Sequence, residues 1–225
     1  MADSKKNVNA PAAEETLNKS EALILKYKNI IIAAVAALVI IVSGVSLYKT
    51  HVSKPAEEKA STILAKGQEL YQADQFELAL NGDSTGYAGF LKIASEYSST
   101  DAGNLANLYA GLCYAGLEKW QEAVQYLEKF SGKDDQMITP AAIGALGNAY
   151  AHLEQYDKAV STLVKAAEKA DNNSLSPTFL IQAGQILESQ NKKADALKLY
   201  KQIKEKYFQS AQYQIIDEYI ERASK

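Results

Sequence analysis

Residues 30–48 read IIIAAVAALVIIVSGVSLY, nineteen positions without a charge. At about 1.5 Å per residue, a helix of this length covers nearly 30 Å, the hydrocarbon thickness of a bilayer. The core helix of a soluble domain keeps a polar face over such a length, and this stretch has none. Tyr27 and Tyr48 stand at its two edges, where aromatic rings favour the headgroup region. Lys26, Lys28 and Lys49 flank it and can extend their ammonium groups to water. The segment reads as one membrane-spanning helix. Cleavage as a signal peptide is the alternative, with small residues at Ser43-Gly44-Val45-Ser46. A signal peptide has an apolar core of only about 7–15 residues close to the N-terminus. Here 29 residues come first, so an uncleaved signal anchor is expected.

Lysines do not decide the orientation of the span. Lys19, Lys26 and Lys28 precede it; Lys49, Lys54, Lys59 and Lys66 follow it, and long domains cross largely regardless of charge. Ala33 and Ala37 have the spacing of a small-residue helix-packing face. The tail ahead of the span, residues 1–29, is polar. Its composition leaves it unstructured up to Leu17, with a helical extension from there into the membrane.

The chain has 225 residues and a net charge of -3. No lysine or arginine cluster supplies an electrostatic footprint for nucleic acid. The lone Cys113 excludes an intrachain disulfide and a cysteine metal cage; between Leu112 and Tyr114 it reads as a small buried side chain.

Beyond the span the sequence repeats. Gly67, Gly111, Gly147 and Gly184 recur at intervals of 44, 36 and 37 residues. Three residues after each stands Leu70, Tyr114, Tyr150 or Leu187; twelve after each stands Ala79, Ala123, Ala159 or Ala196. An aromatic comes nine after the first three, as Phe76, Trp120 and Tyr156, with Lys193 in that slot of the fourth. A period of this size marks stacked units that bury their faces on one another. Within the third unit Ile143, Leu146, Gly147 and Tyr150 form one helical stripe, and Val160, Leu163, Val164 and Ala167 the next. Thr139-Pro140 and Ser176-Pro177 open the third and fourth units as a hydroxyl cap followed by proline. Asp171-Asn172-Asn173 stops a helix, and the short turn at Glu154-Gln155 keeps paired helices antiparallel. Glycine on the first helix and alanine on the second let two backbones approach, with the aromatic wedged beside them. In the first unit residues 81–86 form a turn-rich break, read as a loop inserted before a helix at Phe90–Tyr97. A terminal helix at Ala211–Ala223, carrying Ile215, Ile216, Tyr219 and Ile220, covers the last apolar face. Pro55 with Glu57 and Glu58 starts the first helix after the span.

The fold class is therefore all-α: a single N-terminal transmembrane helix followed by an antiparallel helix-pair solenoid. The expected organisation is a tail at 1–29, the span at 30–48, a stalk at 49–59 and a repeat domain at 60–225. Its units fall near 60–103, 104–139, 140–176 and 177–210, with a C-terminal helix at 211–223.

The arrangement of Leu146-Gly147, Tyr150, Tyr156 and Ala159 resembles the tetratricopeptide repeat. The fourth unit departs from it at Lys193 and the first through its insertion. The whole layout is similar to the ancillary, tetratricopeptide-containing subunit of the bacterial Sec translocon; Phe90–Tyr97, followed by Ser98–Gly103 and Leu105-Ala106, looks like that family's first full unit. The resemblance implies a single-pass protein of the bacterial inner membrane with a cytoplasmic N-terminus and periplasmic repeats. It implies a chaperone-type adaptor whose partners are translocon subunits, periplasmic chaperones or unfolded secretory clients. The alternative is a structural scaffold for assembly of a cell-envelope complex.

In a helix-pair solenoid the first helix of each pair lines a groove. Positions three before, one after and five after each glycine face it: Leu108, Leu112 and Gly116; Gly144, Asn148 and His152; Ile181, Gln185 and Ser189. This groove is apolar toward the second unit and small and polar beyond. It carries no lysine or arginine with which to clamp a C-terminal carboxylate, and suits an apolar helix or an extended segment. The other reading is that Leu108 and Leu112 pack beneath the inserted loop. His152 is either a pH-sensitive contact or a plain surface histidine.

No catalytic activity, cofactor or metal is expected. His51 and His152 are the only histidines, and no phosphate loop, zinc signature or Ser/His/Asp order is present. The acidic pairs Asp134-Asp135 and Glu154…Asp157 fit ordinary turn chemistry.

Overall fold

A computed structural model describes residues 10–225, with side chains from Lys26 onward; the expectation for the tail's first nine residues lies outside the described residues. The chain divides into two compact units, Met1–Pro55 and Ala56–Lys225. In the first, helix α1 runs Ala10–Tyr48, so it starts ahead of Leu17. Pro11 falls in its first turn, where a missing N–H is no loss. Its apolar stretch is exposed all round, as Leu38 at 63% and Ile40 at 72% show. Among the described residues this is the one helix long and apolar enough to cross a membrane. A short π-helical turn, Lys49–Ser53, follows it.

The second unit is built from helices alone among the described residues. They are α2 (Lys54–Gln72), α3 (Phe76–Asn81), α4 (Phe90–Glu96), α5 (Asp101–Gly116), α6 (Trp120–Leu127), α7 (Ile138–His152), α8 (Tyr156–Ala170), α9 (Ser176–Ser189), α10 (Lys193–Lys206) and α11 (Ile216–Ser224). Pairs α5/α6, α7/α8 and α9/α10 pack within themselves, and α6 on α7 and α8 on α9 join successive pairs. Three apolar clusters run through the stack. They centre on Phe90 and Ile93, on Val124 and Leu127, and on Leu180, Tyr200 and Ile216. Cys113 is fully buried in the first. Burial, with Glu77 adding to it, pushes its thiol up to about 12, so it stays protonated and inert.

Within each pair the same turn recurs. The Lys119 N–H reaches the Tyr114 carbonyl at 2.9 Å, and the Glu118 N–H reaches that of Ala115 at 3.0 Å. Gln155 and Glu154 repeat this on Tyr150 and Ala151, and Lys192 and Asn191 on Leu187 and Glu188. This is a Schellman cap, whose pivot is left-handed and favours glycine. Here the pivots are Asp74, Glu118, Glu154 and Asn191, at φ of 55°, 57°, 58° and 60°.

The repeat glycines make room for the second helix. A Cβ on Gly147 would lie 2.8 Å from Leu163 Cγ, and one on Gly111 2.6 Å from Leu127 Cγ; on Gly184 it would meet the Tyr200 ring at 2.3 Å. The occupying residue stands sixteen after the glycine, one turn past the alanine. The four alanines are wholly buried. Two of the aromatics reach beyond their own pair, Phe76 while also packing on Tyr71 of α2 with ring centres 5.8 Å apart. Phe76 packs on Gly116 of the next unit, whose Cβ would lie 2.5 Å from its ring. Trp120 stacks on His152 of the next, with ring centres 3.7 Å apart and planes 1° from parallel.

The first unit departs from the rule because its second helix stops at Asn81. The loop folds back instead. Asp83 accepts the Thr85 and Tyr87 N–H groups, each at 2.9 Å, and pairs with Lys66 at 3.0 Å. Tyr87 and Phe90 then fill the space over Gly67. The loop thus packs on α2 and does not cover Leu108 or Leu112. Glu57, expected only to favour the start of α2, also accepts the Asp101 and Ala102 N–H groups of α5 at 2.6 and 3.0 Å.

The proline-led units also differ in detail. Thr139 is not the cap of α7, which starts at Ile138; Asp135 takes that role, as described below. Ser176 donates to the Ala167 carbonyl at 2.8 Å and accepts from the Asn172 N–H, tying α9 back to α8. The C-terminal helix starts at Ile216, after a 3-10 turn at Ala211–Gln214. Ile215, expected on its packed face, is 43% exposed. Arg222 of α11 holds Glu188 of α9 through two hydrogen bonds of 2.6 and 3.0 Å, which keep the Glu188 carboxyl below its usual range.

A non-glycine residue in the left-handed region costs about 1–2 kcal/mol, and glycine gives back part of that as unfolded-chain entropy. Removing an acid from a helix C-terminus also helps. Glu118→Gly and Glu154→Gly are each expected to raise stability by about 0.5–1 kcal/mol, read by urea unfolding of the second unit's helical signal in the full chain. Gly147→Ala is expected to lower it by about 1–3 kcal/mol. A loss in both glutamate variants would show that the carboxylates themselves hold these turns.

Candidate protein-binding groove

The first helices of successive pairs face one another across two concavities. The first, of about 370 Å³, lies between Gln68 of α2, Leu105, Leu108 and Leu112 of α5, and Met137 and Ile138 at the start of α7. The second, of about 610 Å³, lies between Asn148 and His152 of α7 and Gln182, Gln185 and Ser189 of α9, with Trp120 at its side. Neither is lined by an acid, a lysine or an arginine. Charges gather elsewhere: a separate concavity of about 480 Å³ is lined by Glu128, Lys133, Lys165 and Lys169.

Leu108 and Leu112 share the apolar concavity, and Asn148, His152 and Gln185 share the polar one. Leu108 is 7% exposed and belongs to the cluster formed with the third unit; Leu112 is half-buried. Gly144 and Ile181 line neither concavity. A Cβ on Gly144 would lie 2.2 Å from the Phe179 ring, so α9 closes over it, and Ile181 is buried in the third cluster. Their position, three before the glycine, faces the neighbouring unit. Leu108, at the same position, packs toward the third unit and also lines the apolar concavity.

Several groove residues escape the glycine register. Met137 and Ile138, 57% and 53% exposed, stand at the N-terminal edge of α7, next to what the sequence presents as a loop. Their signal is two large apolar residues in a polar stretch. Leu105, six before Gly111, is legible only once α7 is placed. Gln182 lies one turn before Gln185.

Asp135 fixes the Met137–Ile138 step. Its Oδ1 accepts the N–H groups of Met137, Ile138 and Thr139 at 2.9, 2.6 and 3.1 Å, and Thr139 Oγ1 donates to Oδ2 at 2.5 Å. The Thr139 hydroxyl first, then the backbone N–H groups, hold this carboxyl down at about 2 against an ordinary 3.8. Thr139 Oγ1 also accepts the Lys133 N–H at 2.9 Å, closing the turn. The carboxylate sits where α7 presents its free N–H groups, as a helix N-terminus favours.

Stacked helix pairs with a neutral groove on their first helices define a helical-repeat domain of tetratricopeptide type, a class that acts through protein–protein contact. A family model described as T7SS, ESX-1 secretion system protein EccA1, N-terminal domain matches residues 59–215. The chain belongs to that family. The matched residues begin beyond α1. They concern a secretion-system family distinct from the Sec translocon subunit that the layout resembles. No curated protein matches the chain.

A depressed carboxyl contributes stability that is whole above its unfolded value and fades as pH falls through its folded one. Asp135→Ala is expected to cost about 1–2 kcal/mol at pH 7 as a lost cap. The gap to the parent chain should narrow as pH falls from 3.8 toward about 2. Unfolding curves at pH 7, 4, 3 and 2 check this; a gap constant to pH 2 would show that the charge plays no part.

Proposed function

We propose that this chain is a membrane-anchored adaptor that holds an uncharged, apolar polypeptide segment in the groove of its second unit and performs no catalysis. One observation carries the reading. Met137 and Ile138 stand more than half exposed beside Leu105, Leu108 and Leu112, in a concavity with no charged lining residue. Apolar side chains left in water at the centre of a concave surface are the usual mark of an unfilled protein contact. A groove of this kind gains affinity by removing those side chains from water, at about 25 cal/mol per Å².

The apolar helix α1 supports a membrane anchor. The family description, from a secretion-system protein, supports a client or partner in protein export. The narrower assignment, a chaperone-type companion of the Sec translocon with its repeats in the periplasm, rests on the layout of tail, span and repeats. The Arg222–Glu188 lock on the terminal helix suits a rigid holder, and a scaffold of the cell envelope would share it.

A photoreactive side chain at Ile138, with Lys198 on α10 as the control, separates these readings in native membranes. Adducts at Ile138 with chains in transit or with export components are expected, and none at Lys198. Adducts confined to mature envelope proteins would leave the scaffold. Met137→Glu, at an exposed position beside Ile138, should alter stability by no more than about 0.5 kcal/mol while abolishing those adducts.

A further inference from the structure

The charged concavity of about 480 Å³ lies on a different face of α7 from the groove. Ala142, Ile143 and Leu146 of α7 give it an apolar lining, together with Phe130 from beyond the end of α6. Phe130, Ile143 and Leu146 are only half-buried, so their apolar atoms stay open to an occupant. Helix α8 contributes Lys165 and Lys169, the loop ahead of α7 contributes Lys133, and the end of α6 contributes Glu128.

Three ammonium groups and one carboxylate do not balance. Glu128 already accepts the Tyr150 hydroxyl. Lys133 and Lys169 reach Asp101 at 2.6 Å and Asp134 at 3.0 Å. Both acids are exposed and neither lines the concavity, so these pairs hold their ammonium groups weakly. Lys165 makes no ion pair among the described residues. It also stands one turn from Lys169 on α8, and like charges at that spacing repel. An anion between the two removes that repulsion, and its oxygens gain charge-assisted hydrogen bonds.

We propose that this concavity binds an anionic amphiphile, with one carboxylate or phosphate between Lys165 and Lys169 and an aliphatic chain on Phe130, Ile143 and Leu146. Its volume falls in the range of small-molecule sites, about 300–1,000 Å³. An inorganic anion would leave the apolar lining in water, and a neutral hydrocarbon would leave the lysine repulsion in place. Glu128 opposes a second negative charge on the ligand. An anionic membrane lipid and a soluble alkyl phosphate or fatty acid share this chemistry. The site is separate from the groove, sharing Ala142 alone with the apolar concavity and no residue with the polar one.

The test titrates hexyl phosphate calorimetrically into the full chain in phosphatidylcholine nanodiscs, with empty nanodiscs as the blank. Saturable binding is expected, about tenfold or more tighter than that of inorganic phosphate or of 1-hexanol. The double variant Lys165→Gln, Lys169→Gln should weaken it about tenfold. Glu128→Gln should tighten it about twofold, by removing a like charge. Thermal unfolding should be unchanged in both variants, and a gain in binding is not what a merely structural role produces. Nanodiscs that also contain phosphatidylglycerol separate the two sources, both of which support the site. Weaker hexyl phosphate binding there assigns an anionic membrane lipid, and equal binding a soluble amphiphile. Inorganic phosphate that binds as tightly as hexyl phosphate would show an adventitious ion only and overturn the inference. So would 1-hexanol that binds as tightly, lysine variants that bind like the parent chain, or no binding at all.

Discussion

Each helix pair after the first depends on a contact that a side chain at one position would forbid. Gly111, Gly147 and Gly184 bring α5, α7 and α9 so close to their partners that Leu127, Leu163 and Tyr200 occupy the space of a Cβ. The buried alanines let the second helix lie flat there. Once the pair is that close, a tight turn must join it, and the left-handed pivots at Glu118, Glu154 and Asn191 supply one. Two of the aromatics at the start of the second helix also meet the following unit, Phe76 at Gly116 and Trp120 at His152. One close approach thus sets the pair, the turn and the stacking of the next pair.

Charge is divided between edge and groove. Contacts between units fall about one repeat apart: Lys192 to Asp157 at 2.9 Å, Lys169 to Asp134 at 3.0 Å, Lys206 to Asp171 at 2.7 Å. Each is exposed and worth little singly; together they favour one register of unit on unit. They also consume the charges of the turns. The Arg222–Glu188 pair is the more sheltered, with Glu188 at 14% and Tyr200 donating to the same carboxylate at 2.9 Å. The first-helix faces are left neutral, and that neutrality is what the groove offers a partner.

The glycine register made the repeat legible, because a missing side chain and a buried alanine at fixed spacing leave a direct trace in sequence. The all-helical fold and the apolar character of the span were legible for the same reason: each is a local pattern. Contacts between units were not. The aromatic row reads as a wedge within a pair, since nothing nearby says that the ring crosses to a residue about 32–40 positions on. Gly144 reads as a groove residue until Phe179 is placed over it. Thr139 reads as a cap, but Asp135 reaches three backbone N–H groups where a hydroxyl reaches one. Met137 and Ile138 carry no periodic signal, because they are the cap and first residue of a helix.

Membership of a secretion-system family and a neutral apolar groove support the proposal that the first helices receive a polypeptide while the second helices hold them in place. Hydroxyl-radical footprinting of the full chain tests this most directly, comparing native membranes with purified protein in nanodiscs. Met137 and Trp120 lie on the groove; Phe208 and Tyr213, 61% and 40% exposed, lie outside both concavities. Protection of Met137 and Trp120 in native membranes, with Phe208 and Tyr213 labelled equally in both samples, is the expected result. Protection of Phe208 and Tyr213 with Met137 and Trp120 unchanged would contradict the account and move the contact surface to the C-terminal end of the stack.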